Sequence, residues 1–235
     1  MQLTEALLDS VSGIHGAVEG VMVGLNWTCV ESSHVGMAQT LRGKEDVELE
    51  GAGLILGCEA REIAARLRSF ELLDASLGLA ALCSLVDAKG DRVNAVDYIL
   101  DLTPGKTVTC VGRFPFFTEI EKNAARSYQL EMPHHEKKHP RLAAEEVLPL
   151  SDLVILSATS LIYKSLQRLL NLSRNAITVV MGPCTPMNDV LFDFGADVLA
   201  GVRVVNSDCL YLSVAQGVKH HQKIAGIEPV TRFKK

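Results

Sequence analysis

Aromatic residues are scarce. Phe, Trp and Tyr make up 5% of the 235 residues, and Trp27 is the single tryptophan. Binding single-stranded nucleic acid by stacking needs several exposed rings, so this scarcity argues against that role. An excess of positive charge is lacking too: Lys and Arg number 23 against 28 Asp and Glu, a net charge of −5. Neutralising phosphates dominates nucleic-acid affinity, and no nucleic-acid partner is expected. No apolar run reaches the roughly 20 residues that a bilayer-spanning helix needs. The longest, near Leu77 to Val86, is broken by Gly78 and Ser84, so no membrane partner is expected either. Met1 to Ser10 carries Glu5 and Asp9 but no Lys or Arg, which is unlike a signal peptide and implies a cytoplasmic protein. The six cysteines are scattered singly with no C-x-x-C pair, as expected of reduced, mostly buried thiols. The patterns H-E-x-x-H and G-x-G-x-x-G are both absent, which disfavours a standard metalloprotease helix and a standard dinucleotide turn.

What is present is ordinary globular composition, 48% hydrophobic and 22% charged, enough for a full core. Leu3, Leu7 and Val11 fall at helical spacing before Gly13. Val21 to Val30 alternates with period two and predicts one strand, with Gly36 to Leu41 either returning as its partner or leading away from it. Ala60, Ile63, Ala64 and Leu67 make a helical stripe supported by a Glu62–Arg66 pair. Glu71 to Val86 predicts a second helix, apolar nearly all round and therefore buried on most sides. After polar breaks at Asp87–Asp91 and Asp101–Gly105 the pattern changes. Strands are predicted at Thr107–Gly112, Ser127–Met132, Leu153–Ala158, Ile177–Met181 and Val202–Val205, each gap being long enough for a helix. That spacing belongs to βαβ units. The expected fold class is therefore α/β: a smaller α+β domain over residues 1–90, then a Rossmann-like parallel sheet over 91–235. A homodimer is the expected assembly.

Ligands of such sheets gather at the carboxyl ends of the strands. Gly112 lets the chain leave its strand tightly, and Arg113 beside it offers either a contact for an anionic group or a solvated charge. Glu131 lies 19 residues after Gly112, about where nucleotide binders place a carboxylate for a ribose hydroxyl. Thr159 and Ser160 open a predicted helix, whose clearest apolar face runs from Leu161 to Leu170. They are expected to cap it or to present its free amides to an anion. In Gly182-Pro183-Cys184-Thr185-Pro186, Pro186 suits the first turn of a helix capped by Thr185. Cys184 is the cysteine best placed to face a ligand, as a thiolate stabilised by that helix. His134, His135 and His139 are candidate metal ligands, although Lys137 and Lys138 between them repel a cation. His220-His221 is a further pair near the C-terminus.

Several ordered segments resemble a known family: Val23 to Ser32, Val111 to Pro115, Ser151 to Ile155, Met181 to Pro186 and Gly195 to Gly201. Together they are similar to the DUF364 family, with its DUF4213 N-terminal domain, a group associated with heavy-metal chelation. The resemblance implies an enolase-N-terminal-like domain before the Rossmann-like one, with a site between them. It also implies metals, or small molecules that bind them, as ligands, and a divalent or heavy metal as the cofactor. By matching position, Trp27, Thr28, Glu31, Gly112, Arg113, Phe114, Pro115, Thr159, Gly182, Pro183, Thr185 and Pro186 become candidate ligand-binding residues. One departure stands out. Where the family reads Thr-Ala-Leu-x-Asn-Gly-Thr-Leu, Thr159 to Leu166 has Tyr163 and Lys164 in place of the amide and the glycine.

The expected function is a binding protein or enzyme acting on a small molecule, a metal chelate or its precursor, in the interdomain cleft. Two alternatives are an enzyme using a nucleotide or S-adenosylmethionine, and a non-catalytic metal carrier or assembly subunit built on the histidines. No nucleophile–base pair is legible, so no catalytic residue is assigned.

Overall fold

A computed structural model describes residues 2–43, 48–131 and 139–235. The N-terminal half holds α1 (Gln2–Asp9), a three-stranded antiparallel sheet of β1 (Gly20–Val23), β2 (Trp27–Glu31) and β3 (Val35–Gln39), then α2 (Ala60–Ala64) and α3 (Leu72–Leu85). The period-two run from Val21 to Val30 is two strands, not one. The chain turns at Gly24 to Asn26, with the Gly24 amide donating to the Trp27 carbonyl, and Val23 pairs with Thr28.

β2 is the central strand, and both of its faces are covered. Trp27 and Cys29 join Leu210 and Val214 of α9 (Ser207–Ala215) in one cluster, while Val30 joins α3 in another. Trp27, Thr28, Cys29 and Val30 are all buried as a result. α3 is buried on nearly every side, as its uniform apolarity predicts. Leu77, Leu79 and Leu82 are fully buried, each contributing about 2 kcal/mol relative to exposure. Its backbone approaches β3 so closely that a Cβ on Gly36 would sit 2.1 Å from the Ala80 carbonyl oxygen and 2.4 Å from the Ser84 nitrogen. Arg66 pairs with Asp74 of α3 at 3.4 Å, rather than with Glu62 as its spacing predicts.

The second sheet comprises β4 (Thr107–Val111), β5 (Arg126–Glu131), β6 (His139–Pro140), β7 (Leu153–Ser157), β8 (Ile177–Met181), β9 (Val198–Val204) and β10 (Ile227–Phe233). Its order is β10-β9-β8-β7-β4-β5-β6, parallel from β9 to β6, with β10 antiparallel at the edge. From β4 the chain steps outward through β5 and β6, then returns to add β7, β8 and β9 on the other side. This is the doubly wound order, with its reversal between β4 and β7. Alternation along the strands feeds both faces. Leu153 and Ile155 pack with Ile99 of α4 (Ala95–Leu102) and Ile120 of α5 (Phe117–Asn123), whereas Val154 and Leu156 pack in the cluster that contains α3. Strands buried on both faces read as continuous apolar runs, which is why this sheet is visible in the sequence.

Two segments of the family pattern serve the sheet's entry edge. Asp152 accepts a 2.8 Å hydrogen bond from the Thr107 amide, Ser151 and Thr109 share one of 2.7 Å, and Asp197 accepts one of 2.8 Å from the Thr178 amide. These groups satisfy polar atoms where strands begin.

Other expectations change as well. β9 starts at Val198 rather than Val202, and β10 and α4 were not predicted. The helix expected from Leu161 is confined to α7 (Leu166–Leu172), preceded by a 3-10 turn at Ala158–Ser160. The break falls at Lys164, whose φ of +58° is the one positive value at a non-glycine among the described residues. The family pattern places glycine at this position. Lys164 holds the same backbone with a side chain whose Nζ donates to the Leu67 carbonyl.

Two substitutions test these constraints. Gly36→Ala is expected to lower unfolding stability by about 3 kcal/mol, because backbone on both sides must move; chemical denaturation measures it. Lys164→Ala is expected to be about 1 kcal/mol less stable than Lys164→Gly, since both lose the bond to Leu67 but only alanine keeps the left-handed strain. Equal stabilities would remove strain as the reason for the family's glycine.

Candidate functional site

At the end of β4 the chain turns at Gly112, with φ of +118°. A Cβ there would lie 2.7 Å from the Ser157 Cβ on β7, so glycine lets the strands flanking the reversal close at their carboxyl ends. The Gly112 amide donates to the Leu130 carbonyl at 2.9 Å, and Gln129 Nε2 donates to the Gly112 carbonyl at 3.2 Å. That ties the turn to β5. Phe114 and Phe116 follow, their rings 5.5 Å apart. At the end of β7, Ser157 and Thr159 share a hydroxyl hydrogen bond of 2.8 Å. Thr159 therefore caps no helix. Beyond β8, Gly182 turns with φ of +137°, and Thr185 Oγ1 donates back to its carbonyl at 2.8 Å. Thr185 closes this turn rather than capping a helix, and the next helix, α8 (Val190–Asp193), begins only at Val190.

Above this rim lies a cleft with two adjoining lobes of about 940 Å³ and about 580 Å³. Together they exceed the usual size of a small-ligand pocket. Trp27, Gln39, Arg113, Pro115, Ser157, Thr159, His221 and Gln222 line both lobes. The larger lobe adds Glu131, Tyr163, Lys219 and Lys223, and the smaller adds Phe114, Phe116, Pro183 and Ile224. The roof comes from the small sheet and from the stretch Lys219–Lys223, which joins α9 to β10. Asn26 steadies this corner by donating from Nδ2 to the Gly217 carbonyl at 2.9 Å.

Electrostatics favour an anion. Arg113, Lys219 and Lys223 line the larger lobe together with Glu131, a surplus of cations in a protein that is acidic overall. A concave, low-dielectric wall strengthens such a field. Trp27 is 7% exposed, and its indole Nε1 is buried without a hydrogen-bond partner. A buried donor left unmade costs about 1–3 kcal/mol. The His221 ring meets the Trp27 ring edge-on with centroids 6.4 Å apart. Burial, reinforced by the neighbouring His220, holds the His221 imidazole below its usual pKa, so at neutral pH it carries a free acceptor nitrogen.

Of the residues singled out by sequence, Trp27, Gly112, Arg113, Phe114, Pro115, Glu131, Thr159, Ser160, Gly182 and Pro183 line this cleft. Thr28, Glu31, Thr185 and Pro186 do not. Thr28 is fully buried and shares a 2.9 Å hydroxyl hydrogen bond with Thr40, and Glu31 lies beside Tyr211. Cys184 lines the smaller lobe but is 1% exposed, and burial pushes its thiol up to about 12. It is a neutral thiol, and no helix terminus activates it. His134 and His135 lie outside the described residues, as does the side chain of His139. Among the described residues no three His, Cys, Asp or Glu side chains converge to hold a metal ion. Sequence reasoning missed Gln39 and the Lys219–Lys223 wall. The pair His220-His221 was the one visible signal, and its location follows only from the path between α9 and β10.

The family model DUF364, described as "Putative heavy-metal chelation", matches residues 94–229, and DUF4213, with the same description, matches residues 4–86. A crystal structure of a DUF364-family protein of unknown function from Desulfitobacterium hafniense DCB-2 is 28% identical, with a TM-score of 0.87 over 100% of both chains. Another of unknown function, from Pyrococcus horikoshii, is 17% identical with a TM-score of 0.79, covering 99% of this chain and 98% of that one. No curated protein matches the chain.

The burial of Cys184 has a direct chemical readout. In the folded protein at pH 8, iodoacetamide is expected to spare Cys184 while it modifies the partly exposed Cys209. Peptide mass mapping that finds Cys184 alkylated as fast as Cys209 would refute a buried, protonated thiol.

Proposed function

This chain belongs to the DUF364 family, and we propose that it binds a small anionic chelator, or the metal complex of one, in the cleft above the β4–β7 reversal. The observation that carries this reading is that Trp27, whose buried indole Nε1–H has no partner, lines the same lobe as Arg113, Lys219 and Lys223. A ligand rich in carboxylates supplies both the negative charge for the cations and an acceptor for the indole. Such groups are what metal chelators are made of, which agrees with the family's description. The smaller lobe, with Phe114, Phe116 and Ile224, suits an apolar portion of the same molecule. No residue is assigned a catalytic role.

A nucleotide-type ligand is the second reading, favoured by one observation. Glu131 ends β5, the strand next to β4, and lines the cleft beside Gly112. That is where a doubly wound sheet recognises a ribose. Arg113 and the lysines then meet phosphate instead of carboxylate.

Calorimetric titration separates the two. The panel consists of polycarboxylate chelators, free and loaded with Ni(II), Co(II), Cu(II) or Zn(II), alongside adenine nucleotides and S-adenosylmethionine. The expected result is saturable binding of a chelator or its complex that weakens with salt. Arg113→Ala and Lys219→Ala are each expected to cost about tenfold, or about 1.4 kcal/mol. Binding of nucleotides alone, sensitive to Glu131→Gln, would establish the second reading. Binding that none of these substitutions changes would place the site elsewhere.

A further inference from the structure

The link between α9 and β10, residues 217–226, forms a strap at the roof of the cleft, and both its feet are pinned. At the first, the Gly217 carbonyl accepts from Asn26 Nδ2 at 2.9 Å, and the Val218 amide donates to the Ser213 carbonyl at 3.1 Å. At the second, the Gly226 carbonyl accepts from the Val205 amide at 2.8 Å, and the Ala225 amide donates to Ser213 Oγ at 3.3 Å. Ile224 is buried in the cluster that holds Trp27 and Leu210. Ser213 of α9 thus ties both feet.

Nothing comparable holds the middle. The Lys223 amide donates to the His220 carbonyl at 2.9 Å, a bond within the strap itself. Among the described residues, none of residues 219–223 hydrogen-bonds or ion-pairs with the rest of the protein. Lys219, His220, Gln222 and Lys223 are exposed. His221 is partly buried, and its ring meets the Trp27 ring edge-on with centroids 6.4 Å apart. A segment with so few bonds to its surroundings opens at low cost while its neighbours stay folded.

Opening is needed. The Trp27 indole N–H is sealed from solvent, although Trp27 lines both lobes. A ligand can accept from it only after some neighbour moves. β2 is covered by α3 on one face and by α9 on the other, so neither Trp27 nor α9 is free to shift. The middle of the strap is.

We infer that residues 219–223 form a lid, latched by His221 on Trp27, that lifts to admit a ligand and then closes Lys219 and Lys223 over it. That the lid serves a ligand rests on the cleft reading above; that it opens does not. Lids of this kind move in microseconds to milliseconds.

The indole hydrogen supplies a test that needs no ligand. Because Nε1–H has no hydrogen-bond partner, only its cover slows its exchange with solvent. Solvent-exchange NMR on the full chain compares this hydrogen with the Cys29 and Leu210 amides. His221→Ala is expected to speed indole exchange about tenfold while both amides keep their parent rates. His221→Phe, which keeps a ring against Trp27, is expected to stay near the parent rate. Replacing residues 219–223 by Gly-Ser-Gly-Ser-Gly is expected to speed exchange at least as much as His221→Ala. The lid is overturned if indole exchange in His221→Ala or the Gly-Ser variant matches the parent. It is equally overturned if the two amides accelerate as much as the indole, or if His221→Phe behaves like His221→Ala. Parent-like exchange rules out the lid even where a chelator binds the cleft, and accelerated exchange sustains it even where none does.

Discussion

The contact between β3 and α3 at Gly36 fixes the small sheet, and with it that sheet's part of the cleft lining. With no side chain at Gly36, the Ala80–Ser84 backbone lies directly on the small sheet, and α3 continues into the same apolar cluster as Val154, Leu156 and Val180 of the large sheet. The small sheet is thereby fixed against the large one. β2, its central strand, is covered by α3 on one face and α9 on the other. Trp27 begins β2 and so is held at the cleft by packing that has nothing to do with ligand. A loosely packed tryptophan would turn its indole N–H toward water or a backbone acceptor. This one is kept unpartnered, and an unmade buried hydrogen bond is a store of binding energy.

The large sheet contributes the opposite wall through the geometry of its reversal. Because β4 and β7 are neighbours although β5 and β6 intervene in sequence, the turns after β4 and β7 diverge and leave a crevice. Gly112 lets these two strand ends close against each other, and Arg113 follows directly at the rim. The Lys219–Lys223 stretch reaches the same crevice because α9 crosses to the small sheet before the chain returns as β10. The site is thus assembled from both sheets and from the link between them. Its cations come from widely separated parts of an acidic sequence, so overall composition gives no hint of them.

The parts legible in the sequence are those whose environment is uniform along the chain. β7 and β8 are buried on both faces and read as unbroken apolar runs, and α3 reads as helix because it is apolar on every side. The Gly112 turn and Glu131 follow from the spacing of βαβ units. Tertiary context hid the rest. Val21 to Val30 keeps its alternation straight through the Gly24–Asn26 turn, so nothing local reveals the hairpin. The stripe from Leu161 to Leu170 is a genuine helical pattern, interrupted by the left-handed backbone of Lys164, which side-chain chemistry alone does not announce. Family resemblance placed Trp27 and Thr28 side by side as candidates. Only the sheet's two faces separate them, Trp27 at the cleft and Thr28 inward against Thr40. Ser151, Asp152 and Asp197 belong to the shared pattern because they satisfy strand ends, a reminder that a recurring motif marks structure as often as ligand contact.

Because Trp27 is the single tryptophan, the protein has one indole N–H resonance, which reports on the heart of the cleft without any label beyond ¹⁵N. In a ¹H–¹⁵N spectrum recorded during addition of a chelator complex that calorimetry shows to bind, this resonance is expected to shift downfield and saturate at the same stoichiometry, as the donor acquires its acceptor. An indole signal that stays in place while the ligand binds to saturation would contradict the central claim that the unpartnered Trp27 donor is there to meet the ligand.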